Sequence, residues 1–244
     1  MSTQHNLSPL QSLDIFPSLL EDDPKTVFDY IETNSRVFNH FQIDIADGQL
    51  VQGKTFSVED CTRYIQDNPS PLYKSRSFEF HLMVEEFDLD IKDLILLSSD
   101  INISLIIVHL EALINIYPTS QNYHRDLQNL STMFNFGFAI QADSPLKENL
   151  SALVDFPVAQ IMTIQPGGQG RPFEEGALQH ISTLRDDLYN GYIQLDGGIN
   201  DKTLPVILSQ KDLPDAVCPG SYFKEDSAAK LHTLRRIYRE TLQK

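Results

Sequence analysis

The sequence predicts a (β/α)8 barrel, as one domain over residues 1–244, that binds its ligand at the C-terminal ends of the strands. The chain is 244 residues long, close to the roughly 250 residues typical of this fold. Eight short apolar runs alternate with helical stretches, which favours a parallel sheet closed into a barrel. The runs are apolar almost throughout, as is typical of parallel strands buried on both faces.

The elements can be assigned in order along the chain. The segment 173–188 shows the helical pattern most clearly, because Phe173, Ala177, Ile181 and Leu184 recur at three- and four-residue spacing. Periodicity alone leaves a flavodoxin-like or Rossmann sheet open as the competing fold, and the motifs described below favour the barrel. The predicted strands are 13–20, 38–45, 78–84, 104–110, 134–140, 158–164, 192–195 and 215–218.

Composition excludes several classes of partner. The formal net charge is −15 at pH 7, whereas binding to nucleic acid or an anionic membrane requires a basic surface. Residues 1–11 lack a secretory signal and no apolar run is long enough to span a bilayer, so we expect a cytoplasmic protein. Cys61 and Cys218 are too few for a disulfide framework, and no CxxC spacing offers a zinc site. A single phosphate can still be bound by backbone N–H groups.

Polar side chains end several predicted strands, the position where barrels of this class place catalytic groups. Gln42 and Asp44 share the face of their strand that points into the barrel, so Asp44 is a carboxylate in a largely apolar interior. Burial raises a carboxylate pKa unless a cation or hydrogen-bond donors offset it, which predicts a metal or a partner nearby. His81 alone is more typical of a core histidine, and Asp196 before two glycines fits a turn equally well. His109 and Glu111 end the fourth strand.

Glycines cluster in the loops after the last three strands. Glycine lets the backbone approach a ligand closely and direct N–H groups at it. Barrels commonly bind phosphate at the loops after strands seven and eight, so this order favours a phosphate site. Its candidate residues are Gly167, Gly168, Gln169, Gly170, Gly197, Gly198, Gly220 and Ser221.

Seven motifs, in order over nearly the whole chain, resemble those of ribulose-phosphate 3-epimerases. FPSLL at 16–20 resembles the opening PSIL of that family, and IDIADGQLVQGKTF at 43–56 resembles DxMDGxFVPNxTF. FHLMVEE and VHLEA are similar to HLMVxxP and HxEA, and IMTIQPGGQG is similar to MTVxPGFGG. LDGGIN and PGSYF complete the series, and they resemble VDGGIN and AGSAIF of that family. The resemblance implies a ribulose-phosphate-binding (β/α)8 barrel.

The resemblance also implies an activity and a set of roles. The family interconverts ribulose 5-phosphate and xylulose 5-phosphate by moving a proton at C3, and the expected substrate is one of these or a close ketose phosphate. Asp44 and Asp196 would be the two acid/base groups. A divalent metal ion (zinc, manganese, iron or magnesium) would be held by Asp44, His81 and Asp196 together with residue 42. Ser18 and His81 would contact the sugar, the glycine loops would bind the phosphate, and a homo-oligomer is expected by analogy.

The main departure from the family pattern is Gln42, which stands where the family has a histidine ligand. An amide carbonyl is a weaker, neutral ligand, so zinc affinity should fall and preference should shift toward manganese or magnesium. Gln169 interrupts the phosphate-loop glycines, where its side chain either crowds the ligand or points to solvent. Two alternatives stay open: a barrel that binds a sugar phosphate without efficient turnover, and a hexulose-phosphate synthase or related decarboxylase. The latter group carries Asp-x-Lys-x-x-Asp, and residues 44–47 contain no lysine.

Overall fold

The computed structural model describes residues 12–243, and its central feature is one parallel sheet of nine strands. The sheet order is β1-β9-β8-β7-β6-β5-β4-β3-β2. The expectation about a signal in residues 1–11 lies outside the described residues. The strands are β1 (Asp14–Ile15), β2 (Ser18–Leu19), β3 (His40–Ala46), β4 (Ser77–Met83), β5 (Ile103–His109), β6 (Phe136–Ile140), β7 (Val158–Met162), β8 (Tyr192–Asp196) and β9 (Ala216–Cys218).

The sheet closes on itself because its two edge strands are consecutive pieces of one segment. β1 pairs with β9, and β2 pairs with β3. Between them, the Ser18 amide donates to the Pro219 carbonyl at 3.2 Å and the Gln42 amide donates to the Pro17 carbonyl at 2.9 Å. Pro17, which has no N–H, lies where the segment passes from one neighbour to the other. β1 and β2 together are the first of the eight predicted strands, and the predicted (β/α)8 barrel is confirmed.

Helices follow the strands and cover the outside of the barrel. The helical pattern over 173–188 becomes a 3-10 turn, Glu175–Leu178, followed by a helix that ends before Leu188, whose φ is 64°. The sequence therefore predicts this helix correctly but too long at both ends. The helices are α1 (Pro24–Asn34), α2 (Val58–Asp67), α3 (Leu72–Ser75), α4 (Asp88–Leu97), α5 (Leu110–Ile116), α6 (Tyr123–Leu130), α7 (Leu146–Leu153), α8 (Gln179–Asp186), α9 (Leu204–Leu208) and α10 (Ser227–Leu242).

The main apolar core lies between the strands and the helices, whereas part of the barrel interior is polar. Because alternate residues of a strand face the same side, Glu79, Gln160 and Gln194 all point toward the axis and are buried. Gln194 Nε2 donates to Gln160 Oε1 at 2.7 Å and to Glu79 Oε1 at 2.9 Å. Gln160 Nε2 lies 3.3 Å from Asp196 Oδ2. A hydrogen-bonded polar layer therefore supports the strand ends from below.

Two expectations from composition can be compared with the described residues. Cys61 and Cys218 are both buried and free, as expected. Within residues 12–243, no helix combines the length and apolar character needed to cross a membrane.

Candidate active site

Four side chains meet at the C-terminal ends of neighbouring strands. Ser18 on β2 pairs in register with Gln42 on β3, and Asp44 on β3 pairs with His81 on β4. Ser18 Oγ donates to Asp44 Oδ2 at 2.7 Å, and His81 Nδ1 lies 3.0 Å from Asp44 Oδ1. The two-residue spacing predicts Gln42 and Asp44 on one inward face, and the closed barrel brings Ser18 and His81 from the neighbouring strands into contact with Asp44.

Asp196 reaches the same centre from β8. Its Oδ2 lies 3.6 Å from His81 Nδ1, and both side chains are buried. The ligand atoms of Asp44, His81 and Asp196 all lie within 4.8 Å of one another, so this group could hold a metal ion. Two carboxylates and an imidazole form a donor set that suits a divalent first-row ion.

Gln42 contacts every member of this group through its amide nitrogen. Nε2 donates to Asp196 Oδ2 at 2.7 Å and to Asp44 Oδ1 at 2.9 Å, and it lies 3.5 Å from His81 Nδ1. Gln42 Oε1 is buried and has no hydrogen-bond partner among the described residues. An amide nitrogen cannot ligate a metal, but the unpartnered oxygen can. Asp44, His81 and Asp196 therefore fit an ion, while Gln42 presents its nitrogen to the centre and keeps a buried oxygen without a partner within residues 12–243.

Behind His81, a chain of polar side chains leads out of the centre. His81 Nε2 lies 2.9 Å from His109 Nε2, and His109 Nδ1 lies 3.5 Å from Glu111 Oε2. Glu111 also accepts a hydrogen bond from the Ser144 hydroxyl. Burial alone would raise the pKa of Glu111, but the neighbouring His109 ring and the hydrogen bond from Ser144 hold it below its usual value. With a proton on His109 Nδ1, facing the Glu111 carboxylate, His109 Nε2 accepts from His81 Nε2–H, and the 3.0 Å contact of His81 Nδ1 with Asp44 Oδ1 takes its proton from the Asp44 carboxyl group.

The surroundings raise the pKa values of both carboxylates. Burial raises the pKa of Asp44 to about 7, against the lowering effect of the bonds from Ser18 and Gln42. Burial, followed by the neighbouring charge of Asp44, raises the pKa of Asp196 to about 7. Because the two groups lie so close together, they titrate as a pair. Near neutral pH the pair can hold one proton, which is what an acid and a base acting together require.

These raised pKa values predict a pH-dependent stability. An unfolded aspartate titrates near pH 4, so the pair stabilises the fold at low pH, and this contribution is lost as the pH rises from about 4 through about 7. The free energy of unfolding, measured with urea, should fall between pH 5 and pH 8 in the wild type. This fall should be larger than the fall in Asp196→Asn by on the order of 2 to 4 kcal/mol. An equal fall in the two proteins would contradict the raised values.

A glycine-lined cavity lies above the carboxylates. Positive φ angles at Gly167 (87°) and Gly197 (108°) let these loops turn toward it. Gln42 and His81, both fully buried, do not line the cavity and lie beneath it. Of the residues predicted to bind substrate or catalyse, the cavity brings together Ser18, Asp44, Gly167, Gly168, Gln169, Gly170, Asp196, Gly197, Gly198, Gly220 and Ser221.

Gln169 closes this cavity from one side. Its Nε2 donates to the Leu20 carbonyl at 3.2 Å and lies 3.7 Å from where a Cβ on Gly220 would be. The side chain therefore crosses to the end of β2 and does not point to solvent. The cavity holds about 40 Å³, far less than the ~300 Å³ at the lower end of ordinary ligand pockets. A sugar-sized ligand therefore needs more room than the cavity offers here.

Sequence reasoning missed the apolar side of the site and its polar support. Met83, Met162 and Ile164 line the cavity, and Gln160 contacts Asp196 from below. The signal was present in the strands, because Gln160 and Met162 lie on one face by the two-residue period.

The fold and the site together define a class: a (β/α)8 barrel enzyme with two coupled carboxylates beneath a cavity lined by glycine loops. The model of the ribulose-phosphate 3 epimerase family matches residues 14–223. The chain belongs to this family, and the resemblance seen in the motifs is confirmed.

Relatives with known names agree with this assignment. The chain is 26% identical over 223 residues to the ribulose-phosphate 3-epimerase of Treponema pallidum (strain Nichols), covering 87% of this chain and 92% of the relative. It is 27% identical over 164 residues to the chloroplastic ribulose-5-phosphate-3-epimerase of Arabidopsis thaliana. That match covers 64% of this chain and spans about half (52%) of the plant protein. The family and these names indicate a carbohydrate epimerase.

Solved structures support the fold. The 3-keto-L-gulonate-6-phosphate decarboxylase of Vibrio cholerae is similar with a TM-score of 0.61 and 10% identity, over 94% of this chain and 98% of that one. At this identity the likeness concerns the barrel alone.

Proposed function

We propose that this protein interconverts ribulose 5-phosphate and xylulose 5-phosphate, or a close ketose phosphate, by proton transfer at C3 between Asp44 and Asp196. The observation that carries the proposal is the pair of buried carboxylates, joined through one amide, beneath a glycine-lined cavity. Family membership and the names of the relatives support the same reaction.

The chemistry requires two acid/base groups. The C3 hydrogen lies next to the C2 ketone, so its removal leaves a planar enediolate, and inversion needs a proton returned to the opposite face. One carboxylate takes the proton and the other carboxyl returns one. A pair that holds one proton near pH 7 is ready in either direction. Ser18 orients Asp44 through its 2.7 Å hydrogen bond, so that Asp44 Oδ1 faces the centre.

A divalent ion, whether zinc, manganese, iron or magnesium, would be held by Asp44, His81, Asp196 and Gln42 Oε1. When bound, it would stabilise negative charge on the substrate oxygens as a Lewis acid. The chain from Glu111 through His109 directs the His81 Nδ1 lone pair toward the centre. His81 would be one of the residues that hold the ion, and Ser18, which lines the cavity, would contact the sugar.

The glycine loops would bind the phosphate. Gly167, Gly168, Gly170, Gly197, Gly198, Gly220 and Ser221 line the same cavity, and loops after the last strands of a barrel commonly bind phosphate. The Gln169 amide, which donates to the Leu20 carbonyl in this cavity, would supply a further donor to the phosphate. Homo-oligomerisation and a cytoplasmic location stay predictions.

A direct assay tests the proposal. The purified protein is incubated with ribulose 5-phosphate, xylulose 5-phosphate and a six-carbon ketose phosphate, with chelator and then with each ion, and the products are resolved by NMR. Conversion of ribulose 5-phosphate to xylulose 5-phosphate would support the epimerase. Binding without conversion of any of them would favour the sugar-phosphate-binding alternative.

Glu111 provides a test of the histidine chain. Glu111→Gln preserves the shape but removes the charge that faces His109, so His81 is held less firmly in the required tautomer. We expect kcat to fall about 10- to 100-fold, with little change in KM, because Glu111 lies outside the glycine-lined cavity. The matched control is Glu148→Gln on the exposed face of α7, which should keep full activity. A rise in KM with unchanged kcat would contradict this role of Glu111.

A further inference from the structure

The side-chain amide of Gln42 bridges the two carboxylates of the centre. Its Nε2 donates to Asp196 Oδ2 at 2.7 Å and to Asp44 Oδ1 at 2.9 Å. A primary amide has two N–H hydrogens, so one is available for each carboxylate. All three side chains are buried, although Asp44 and Asp196 also line the cavity above the centre. Two adjacent acidic groups are thereby held together by a neutral group.

The other end of the same amide is unsatisfied. Gln42 Oε1 is buried without a hydrogen-bond partner among the described residues, which carries a free-energy cost. If the amide turned over, Oε1 would face the carboxylate oxygens at about the distances that Nε2 now has. Three oxygens so close repel one another unless a cation lies among them. The orientation with nitrogen inward thus suits a centre without an ion, and the reverse orientation suits a centre with one.

We propose that Gln42 makes the metal ion optional for the assembly of this centre. In the metal-free protein its NH2 group bridges Asp44 and Asp196, and on metal binding the amide turns over to offer Oε1. An ion must therefore break two hydrogen bonds before it gains a weak neutral ligand. The inference rests on the proposed function for its importance in catalysis, but its test uses no substrate, so the two can fail separately.

The test compares the thermal unfolding midpoint of the full chain in chelator and in zinc, for the wild type, Gln42→His and Gln42→Met. With one zinc concentration for all three proteins, about 100-fold above the dissociation constant of Gln42→His, we expect removal of metal to change the wild-type midpoint by less than about 2 °C, because the amide competes with the ion and leaves the site at most half occupied. Gln42→Met, similar in length but without N–H groups, should unfold roughly 5 to 10 °C lower in chelator. Zinc about 100-fold above its dissociation constant should raise the Gln42→His midpoint by about 5 to 10 °C.

A second measurement needs no variant. In ¹⁵N spectra of the wild type in chelator, the Gln42 side-chain NH2 should exchange slowly with solvent, and saturating zinc should change its chemical shifts as it leaves the two carboxylates. Zinc titration should show at least about 100-fold tighter binding to Gln42→His than to the wild type, because even changes outside the ligand shell alter metal affinity 10- to 100-fold. A wild-type protein that loses many degrees of stability on metal removal, or a fast-exchanging Gln42 amide in chelator, would overturn the proposal.

Discussion

Replacing Asp44 or Asp196 with asparagine should lower the rate of C3 epimerisation at least about 1000-fold, while the affinity for the sugar phosphate stays within a few-fold. Each variant keeps the size of the side chain and removes one of the two groups that exchange the proton. Neither substitution falls within a phosphate loop. The loop after β7 begins three or more residues beyond the end of that strand, and the loop after β8 begins at Gly197. Steady-state kinetics and calorimetric titration with ribulose 5-phosphate measure the two effects separately.

The control for this pair is Asp67→Asn, an exposed aspartate that ends α2 on the outside of the barrel. It changes the net charge by the same amount and should leave both the rate and the affinity unchanged. Full turnover in either Asp44→Asn or Asp196→Asn would disprove the mechanism with two carboxylates. An equal loss of sugar phosphate affinity would instead indicate that the carboxylates act in binding.

The second large effect is expected at Gly197, directly after Asp196. Its φ is 108°, and a Cβ there would lie 2.4 Å from Ile164 Cγ1 and 3.1 Å from the Ile164 backbone nitrogen. Gly197→Ala must therefore strain the backbone and push β8 away from the loop after β7. We expect a loss of about 2 to 4 kcal/mol in the free energy of unfolding, together with weaker sugar phosphate binding, because Asp196 and the cavity wall move together.

Gly176→Ala is the matched control, since no atom lies within 4 Å of its added Cβ and the residue belongs to a 3-10 turn outside the cavity. Its free energy of unfolding should stay within about 0.5 kcal/mol of the wild type. Urea denaturation of both variants, with sugar phosphate titration of the folded proteins, provides the comparison. A Gly197→Ala protein as stable as Gly176→Ala would contradict the close packing of Gly197 on Ile164.

The barrel was predictable because parallel strands leave a strong trace in the sequence. Runs buried on both faces must be apolar almost throughout, and eight of them recur between helical segments. What periodicity does not predict is how the barrel closes. Pro17 divides the first strand, so that β1 bonds β9 while β2 bonds β3, and this depends on contacts between chain segments about 200 residues apart.

The positions of Asp44, His81 and Asp196 could also be predicted, since each lies on the inward face of a strand, at its C-terminal end or two residues before it. The arrangement of Gln42 could not be predicted from the sequence. Its contact with Asp196 joins residues 154 positions apart across the barrel, and only the closed sheet determines which end of its amide faces them. The inward path of Gln169 depends likewise on the Leu20 carbonyl, which lies at the end of another strand.

The polar layer beneath the site went unpredicted for a different reason. Gln160 and Gln194 lie two residues before Met162 and Asp196 on the same inward faces, so the pattern was present. These residues lie inside the strands rather than at their ends, where functional side chains are expected. Such amides are stable in the interior only because their partners complete the hydrogen bonds, and those partners come from different strands.

The central claim is that Asp44 and Asp196 exchange the proton at C3, and deuterium incorporation tests it most directly. Ribulose 5-phosphate is incubated in heavy water with metal-free protein and then with zinc, manganese, iron or magnesium, and label at C3 is followed by NMR. The account predicts label at C3 together with appearance of xylulose 5-phosphate, and loss of both in Asp44→Asn and Asp196→Asn. Absence of exchange under every condition, in protein that still binds ribulose 5-phosphate, would contradict it.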